Sequence, residues 1–241
     1  MKMKQHAEAG QTVEWDGPLD ITSTHGVPPP DLLLASPSSN SIVGDEPAKV
    51  KPGRLFYVVG ASGVGKDALL RWVAQRIPVD TAVIVRRTIT RQAEPNEQHE
   101  AVDEADFQAL AAGRNFSMQW QANGLFYGVR RGFEKYVQSG RHVIINGSRE
   151  YLPQLHRLFP AAQVVWIEAD AELIRCRLEA RGRDQDAALL QRLQRGGAFA
   201  PPEDCGVVRI ENNGPIEVAG QRLLDLMLQG SREASSGRMG S

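Results

Sequence analysis

Cysteine is nearly missing from this 241-residue chain, which holds only Cys176 and Cys205. Two cysteines without metal-type spacing argue against a disulfide-stapled scaffold and make a reduced, cytoplasmic setting the default expectation. Both are expected as inert packing residues. No apolar run approaches the length of a membrane span, and the start carries no hydrophobic signal-peptide core, so no membrane partner is expected. An excess of one charge is lacking too: 28 Lys and Arg stand against 29 Asp and Glu, for a net charge of −1. That balance gives no reason to expect bulk binding to nucleic acid or anionic lipid. Lysine is scarce in the middle of the chain, where Lys66 and Lys135 are the only two between Arg54 and Gln229. Every other cation there is arginine. Base composition of a genome can cause such a bias, and arginine also suits bidentate phosphate recognition. With 41% hydrophobic residues, the chain can build one ordinary α/β domain and has length to spare.

What is present is a phosphate-cradling loop in its proper setting. Leu55-Phe-Tyr-Val-Val59 reads as a short buried strand, and Leu69, Leu70, Val73 and Ile77 recur at helical spacing. Between them lies Gly60-Ala61-Ser62-Gly63-Val64-Gly65-Lys66-Asp67. The glycines let backbone N–H groups turn inward around a polyphosphate. A helix N-terminus adds partial positive charge and Lys66 a full one. Strand, glycine-rich loop, Lys and helix in this order identify a P-loop, with the whole stretch from Gly60 to Asp67 binding nucleotide.

The residue after the Lys departs from the usual Ser or Thr, whose hydroxyl ligates Mg²⁺. Asp67 is also a hard oxygen ligand and can hold the metal directly or through water. An acidic residue favoured in the first turn of a helix is the other reading, of equal weight.

Residues 1–52 hold Pro18, Pro28, Pro29, Pro30, Pro37, Pro47 and Pro52, half of the 14 prolines, with Ser and Gly between. No apolar period persists there, so a disordered extension is expected, followed by one domain over 53–229 and a flexible tail over 230–241. Strands are expected at Ala82-Val-Ile-Val85, His142-Val-Ile-Ile145, Gln163-Val-Val-Trp-Ile167 and Val207-Val-Arg-Ile210. Helical periods lie at Leu152, Leu155 and Leu158, at Leu173, Ile174, Arg177 and Leu178, and at Leu223, Leu224 and Met227. Such alternation implies an α/β fold, a parallel sheet with flanking helices, whose active residues lie past the carboxyl ends of the strands. One stretch breaks the rhythm. Phe116, Met118, Trp120 and Ala122 alternate with polar residues, and Asn123-Gly124 supplies a hairpin turn before Leu125-Phe-Tyr127. This predicts a small antiparallel lobe, with a second substrate held between it and the loop at Gly60.

Arginines cluster at the ends of successive βα units. Arg86, Arg87 and Arg91 follow the second strand. Arg177, Arg181-Gly182-Arg183 and Arg192 surround a short charged stretch, Arg181 to Asp186, expected to act as a lid. With Thr88-Ile-Thr-Arg91 and Tyr127-Gly128, these residues resemble the guanylate-kinase family of nucleoside-monophosphate kinases, from about Arg54 to Leu228. In that family a Thr-Thr-Arg segment binds the acceptor phosphate, a Tyr-Tyr-Gly hairpin closes over it and lid arginines span both phosphates. By resemblance Arg91 and Tyr127 bind the acceptor, while Arg181 and Arg192 join Lys66 as catalytic cations.

The departures are informative. Glu94 stands where those kinases carry a second Arg, and Asn96-Glu-Gln-His-Glu100 lacks their Tyr. Phe116-Ser-Met-Gln-Trp120 lacks their guanine-reading acid, and a strand that ends Asp-Ile-Asp in them ends Ile145-Asn146-Gly147-Ser148-Arg149 here. Unread base donors are an expensive mismatch.

In these respects the chain is similar to the ribose 1,5-bisphosphate phosphokinases, a branch of the guanylate-kinase-like P-loop kinases. Six segments carry the resemblance in order: Gly65-Lys66-Asp67, Ile89-Thr-Arg91, Glu97-Gln-His99, Trp120-Gln-Ala-Asn-Gly-Leu-Phe-Tyr-Gly-Val129, Asn146-Gly-Ser-Arg149 and Arg181-Gly-Arg183. The resemblance implies ATP and Mg²⁺, and transfer of a phosphoryl group from ATP to ribose 1,5-bisphosphate to give 5-phosphoribosyl 1-diphosphate, in phosphonate degradation. Small molecules are then the expected partners; protein partners are not specified.

A sugar 1-phosphate oxygen is already ionised near neutral pH, so no general base is required. His99 is the nearest candidate and is assigned to acceptor binding, with a plain loop position as the alternative. Arg87 and Arg149 are expected to replace base-reading groups with phosphate contacts; a role for Arg87 in stabilising the fold is the alternative. Two competing functions remain. A guanylate or other nucleoside-monophosphate kinase would phosphorylate a nucleotide such as GMP. A non-catalytic guanylate-kinase-like interaction module would have lost the phosphate loop that is intact here.

Overall fold

The computed structural model describes residues 50–93, 97–180 and 206–236, the last of these without side chains beyond 229. The chain divides into two units, Met1–Val50 and Lys51–Ser241, and every element below belongs to the second. The expected extension over 1–52 therefore lies almost wholly outside the described residues.

Apolar runs build the centre. Strands β1 (Leu55–Gly60), β2 (Ala82–Ile84), β7 (His142–Asn146), β8 (Gln163–Glu168) and β9 (Val208–Glu211) form one sheet in the order β2-β7-β1-β8-β9, every pair parallel. A parallel strand buried on both faces needs apolar residues at consecutive positions, and all six residues of β1 are buried. Phe56 and Val58 face one side. There they meet Leu69, Leu70 and Val73 of α1 (Lys66–Ala74) and Leu223, Leu224 and Met227 of α6 (Ile216–Ser236). Tyr57 and Val59 face the other side, against Leu152 and Leu155 of α4 (Leu152–Leu158) and Phe133, just before α3 (Glu134–Gln138). Burying each such side chain contributes about 1.5–3 kcal/mol of transfer free energy. The helix α5 (Ala171–Ala180) follows β8. Because the strands are parallel, the segments after β1, β7, β8 and β9 all emerge at one edge of the sheet.

The second sheet is the lobe, larger than the hairpin the sequence suggests. Strands β5 (Phe116–Ala122) and β6 (Leu125–Arg130) pair antiparallel around Asn123-Gly124, whose φ angles of 52° and 72° are those of a tight hairpin turn. To this hairpin β3 (Arg87–Ile89) adds antiparallel and β4 (Glu100–Ala101) adds parallel to β3, giving the order β4-β3-β6-β5. Arg87 and Thr88, which follow the second strand in sequence, are thus strand residues of the lobe. The helix α2 (Glu104–Ala112), capped by Asp103, whose carboxylate accepts from Asp106 N at 2.7 Å, precedes β5.

Two local expectations are corrected. Cys176 is exposed rather than packed, and Cys205 lies outside the described residues. Ile77 is buried but follows the end of α1. Among the described residues no helix is long and apolar enough to cross a membrane.

Candidate active site

The phosphate loop closes β1 and opens α1. Gly65 is the N-cap of α1 in a left-handed conformation, φ 97°, and a β-carbon there would run into Asn212 Nδ2. Both constraints select glycine. Asn212 itself is buried and donates from Nδ2 to Val64 O at 2.8 Å, while Arg177 NH1 reaches the same carbonyl at 3.2 Å and NH2 reaches Asn212 O at 3.0 Å. The Val64 side chain is buried in the core beneath. The loop is thereby held from behind by its carbonyl. Among the described residues no backbone carbonyl accepts from the N–H groups of Ser62, Gly63 and Gly65, an arrangement compatible with a bound anion. Lys66 Nζ donates to Gly60 O at 2.8 Å and Ala61 O at 3.0 Å, so its ammonium is folded over the mouth of the loop. This cradle fits a polyphosphate.

Asp67, the second residue of α1, faces two elements at once. Its Oδ1 accepts from Asn146 Nδ2 at 2.7 Å, at the end of β7, and lies 3.4 Å from Arg87 NH2 of the lobe. The carboxylate is half exposed, so its contacts in the fold are compatible with a metal at its open side. The reading of Asp67 as a bare helix-start acid does not account for Asn146, 79 residues away in sequence.

On the lobe, Arg87 and Tyr127 lie diagonally across the β3–β6 pair, with the Arg87 guanidinium 5.7 Å from the Tyr127 ring centre. Trp120 stands directly opposite Tyr127 and stacks on it, centroids 5.5 Å apart and planes 2° from parallel. Such stacking fixes Tyr127 as a rigid wall. The lobe is clasped by Glu100, which accepts from Thr88 Oγ1 at 2.6 Å and from Arg130 Nε and NH2 at 3.0 and 2.6 Å. Burial would raise the Glu100 carboxyl, but the Arg130 and Thr88 donors hold it below its ordinary value.

Arg91 and His99 belong to a neighbouring cluster. Arg91 NH2 pairs with Glu97 Oε2 at 2.8 Å. His99 is buried, its Nε2 2.9 Å from Arg91 O and its Nδ1 3.7 Å from Glu97. A carbonyl oxygen only accepts, so Nε2 carries the proton there. The ring thus braces the backbone that carries Arg91. His99 is thereby tied to Arg91, the residue expected at the acceptor phosphate.

Arg149 follows the Asn146-Gly147-Ser148 turn, half buried, with its guanidinium 5.9 Å from the Trp166 ring centre. Burial draws it below its ordinary value against the opposing charge of Glu150; an arginine remains a cation regardless. Direct contacts therefore bring Asp67, Arg87, Tyr127 and Asn146 together, and Arg91 with His99. Arg149 is joined to the first group through the turn. Arg181, Arg183 and Arg192, with Glu94 and Asn96, lie outside the described residues.

Asn212 was not singled out from sequence, and Asn146, Glu97 and Arg177 entered only as members of a motif or of the arginine cluster, with no role of their own. The placement of Asn212-Asn213-Gly214 just past the last parallel strand was the available signal, since ligands gather at that edge.

No protein-family model matches the chain. It is 52% identical over 187 residues to ribose 1,5-bisphosphate phosphokinase PhnN of Janthinobacterium sp. (strain Marseille), a match covering 77% of this chain and 41% of that protein. To ribose 1,5-bisphosphate phosphokinase PhnN of Thiobacillus denitrificans it is 38% identical over 177 residues, covering 73% of this chain and 93% of that one. The chain thus spans less than half of the first relative and nearly all of the second. Among solved structures, guanylate kinase from Anaplasma phagocytophilum superposes with a TM-score of 0.50 at 18% identity, covering 79% of this chain and 89% of that one. That likeness is one of fold.

Proposed function

The chain belongs to the ribose 1,5-bisphosphate phosphokinase PhnN family, and from that premise we propose that it transfers the γ-phosphoryl group of ATP to the 1-phosphate of ribose 1,5-bisphosphate. A 1-phosphate oxygen attacks the γ-phosphorus and the bond to the β-γ bridging oxygen breaks. ADP leaves, and 5-phosphoribosyl 1-diphosphate forms. The acceptor oxygen is already anionic, so alignment and positive charge carry the catalysis.

The observation that carries the reading is the meeting of loop and lobe. Arg87, on the lobe, lies 3.4 Å from Asp67, in the first turn after the phosphate loop. A donor phosphate on the loop and an acceptor phosphate on Arg87 and Tyr127 would therefore be neighbours. Gly60 to Lys66 hold the ATP phosphates, and the Lys66 ammonium turns from the Gly60 and Ala61 carbonyls to the migrating group. A divalent cation, Mg²⁺, would neutralise charge on the β- and γ-phosphate oxygens, with Asp67 as the residue that holds it. Arg91 and Arg149 supply further acceptor contacts, and Arg91 must exchange Glu97 for phosphate to do so. Arg181 and Arg192 are assigned the lid role between the two substrates.

Two phosphates and no base suit a pocket whose added groups are arginines. ADP release measured with ATP and a panel of acceptors tests the proposal. Ribose 1,5-bisphosphate is expected to be the preferred acceptor, and preference for GMP would reassign the chain as a divergent guanylate kinase.

A further inference from the structure

Asn146 ends β7 and is only 6% exposed. Its Nδ2 donates to Asp67 Oδ1 at 2.7 Å, whereas its Oδ1 is buried and has no donor among the described residues. Buried amide oxygens nearly always have a partner, so an open one beside a substrate site marks a place for an incoming group. Turning the amide over does not remove the problem. Oδ1 would then face the Asp67 carboxylate, acceptor against acceptor, and the orientation with Nδ2 toward Asp67 is the one chemistry allows. Asn146 is in register with Val58 of β1, two residues before the phosphate loop begins, and the carboxylate it holds is adjacent in sequence to Lys66.

Among the described residues no group of three or more His, Cys, Asp or Glu side chains could hold a metal. Magnesium commonly needs no such group, because one or two protein oxygens, waters and substrate phosphates complete its shell. We propose that Asn146 Oδ1 faces the divalent cation that accompanies the nucleotide, as a ligand or through one bound water, and that Nδ2 of the same amide fixes the Asp67 carboxylate beside it. This rests on the phosphoryl-transfer reading and adds a residue to its metal site. A neutral amide with one carboxylate leaves the seat weak for a free cation and strong only once phosphate oxygens join it. The competing occupant of Oδ1 is the Lys66 ammonium, swung away from Gly60 O and Ala61 O.

The test is calorimetric binding of a non-hydrolysable ATP analogue to the full chain, with Mn²⁺ and with EDTA. Asn146→Ala is expected to weaken the Mn²⁺-loaded analogue by about tenfold, as loss of metal-supporting residues generally does, and to leave the metal-free affinity unchanged. Asn146→Asp keeps the size of the side chain and offers a second carboxylate. It should tighten Mn²⁺ binding to the nucleotide-free protein, read by the loss of the free-ion paramagnetic resonance signal. Equal weakening with and without metal would assign Oδ1 to Lys66 and overturn the proposal, as would unchanged metal-loaded affinity. If Asn146→Ala does not fold, Asn146→Asp decides alone: tighter Mn²⁺ supports the proposal, and unchanged or weaker Mn²⁺ overturns it. Failure of the kinase reading would look different, because the unaltered chain would then bind the analogue in neither condition.

Discussion

The Tyr57 hydroxyl is bonded to both backbone polar groups of Ser148, accepting from Ser148 N at 3.0 Å and donating to Ser148 O at 3.4 Å. Gly147 lies against the face of the same ring, where a β-carbon would collide with it. Tyr57 is fully buried in the sheet, so a rigid residue sets the height of the turn that presents Arg149. Tyr57→Phe leaves the Ser148 N–H without that acceptor, at a cost of about 1–3 kcal/mol. Its effect on catalysis should fall on the acceptor KM more than on the ATP KM, as steady-state kinetics would show. Gly147→Ala should be worse, because the turn must lift off the ring; thermal unfolding of the two variants gives the ranking.

Lys66→Met should abolish transfer and leave the fold intact. The Lys66 ammonium donates to the Gly60 and Ala61 carbonyls of its own loop, and by the proposed mechanism its charge is needed where the phosphoryl group moves. Turnover at the normal rate by a folded Lys66→Met protein would remove this loop from the mechanism.

Behind the loop, Asn212→Leu removes the 2.8 Å bond to Val64 O and leaves that carbonyl to Arg177 at 3.2 Å. A hydrogen bond of about 1 kcal/mol lost from the loop's support corresponds to roughly a fivefold weaker hold on ATP. The acceptor KM should be unaffected. An unchanged ATP KM would mean that Arg177 alone suffices.

His142 links stability to pH. It is buried at the start of β7, its Nδ1 accepting from Arg54 N at 2.8 Å. Burial, with Arg54 nearby, holds the imidazole below its ordinary value. The unfolded chain takes up this proton at about pH 6.5, whereas the folded protein resists it. Between the two values the unfolded state holds more protons, so stability is complete above about 6.5 and falls as pH drops through the folded value. His142→Asn keeps an acceptor for Arg54 N and should flatten chemical-denaturation stability just below pH 6.5. A slope that persists in the variant would trace the effect to other groups. Glu100 adds its own loss at lower pH, since a carboxyl held below its ordinary value destabilises the fold on protonation.

Strands of the central sheet were legible because a parallel strand buried on both faces must be an apolar run, as Leu55 to Val59 is. The hairpin was legible because Asn123-Gly124 carries its own turn chemistry. By contrast β3 is three residues long and begins with Arg87; what makes it a strand is Tyr127, Gly128 and Val129 across the lobe. Helix α2 buries only Phe107 and so shows no apolar stripe. At the site, motif residues were readable where chemistry is local, as in Gly60 to Asp67. The partners that orient them were not. Asn146 meets Asp67 from 79 residues away and Asn212 meets Val64 from 148, and no periodicity records such contacts. His99 shows the same limit: its burial against Arg91 O is a matter of tertiary packing that the residue type alone does not record.

Identity of the acceptor is the central claim, and phosphorus NMR tests it most directly. With ATP, Mg²⁺ and ribose 1,5-bisphosphate, a new diphosphate signal from the 1-diphosphate product should grow as ATP is converted to ADP. GMP under the same conditions should give little or no GDP, because the proposed acceptor contacts of Arg87, Arg91 and Arg149 would gain charge-assisted bonds from a second phosphate and leave guanine donors unpaired. Efficient formation of GDP with the bisphosphate left unchanged would contradict the account.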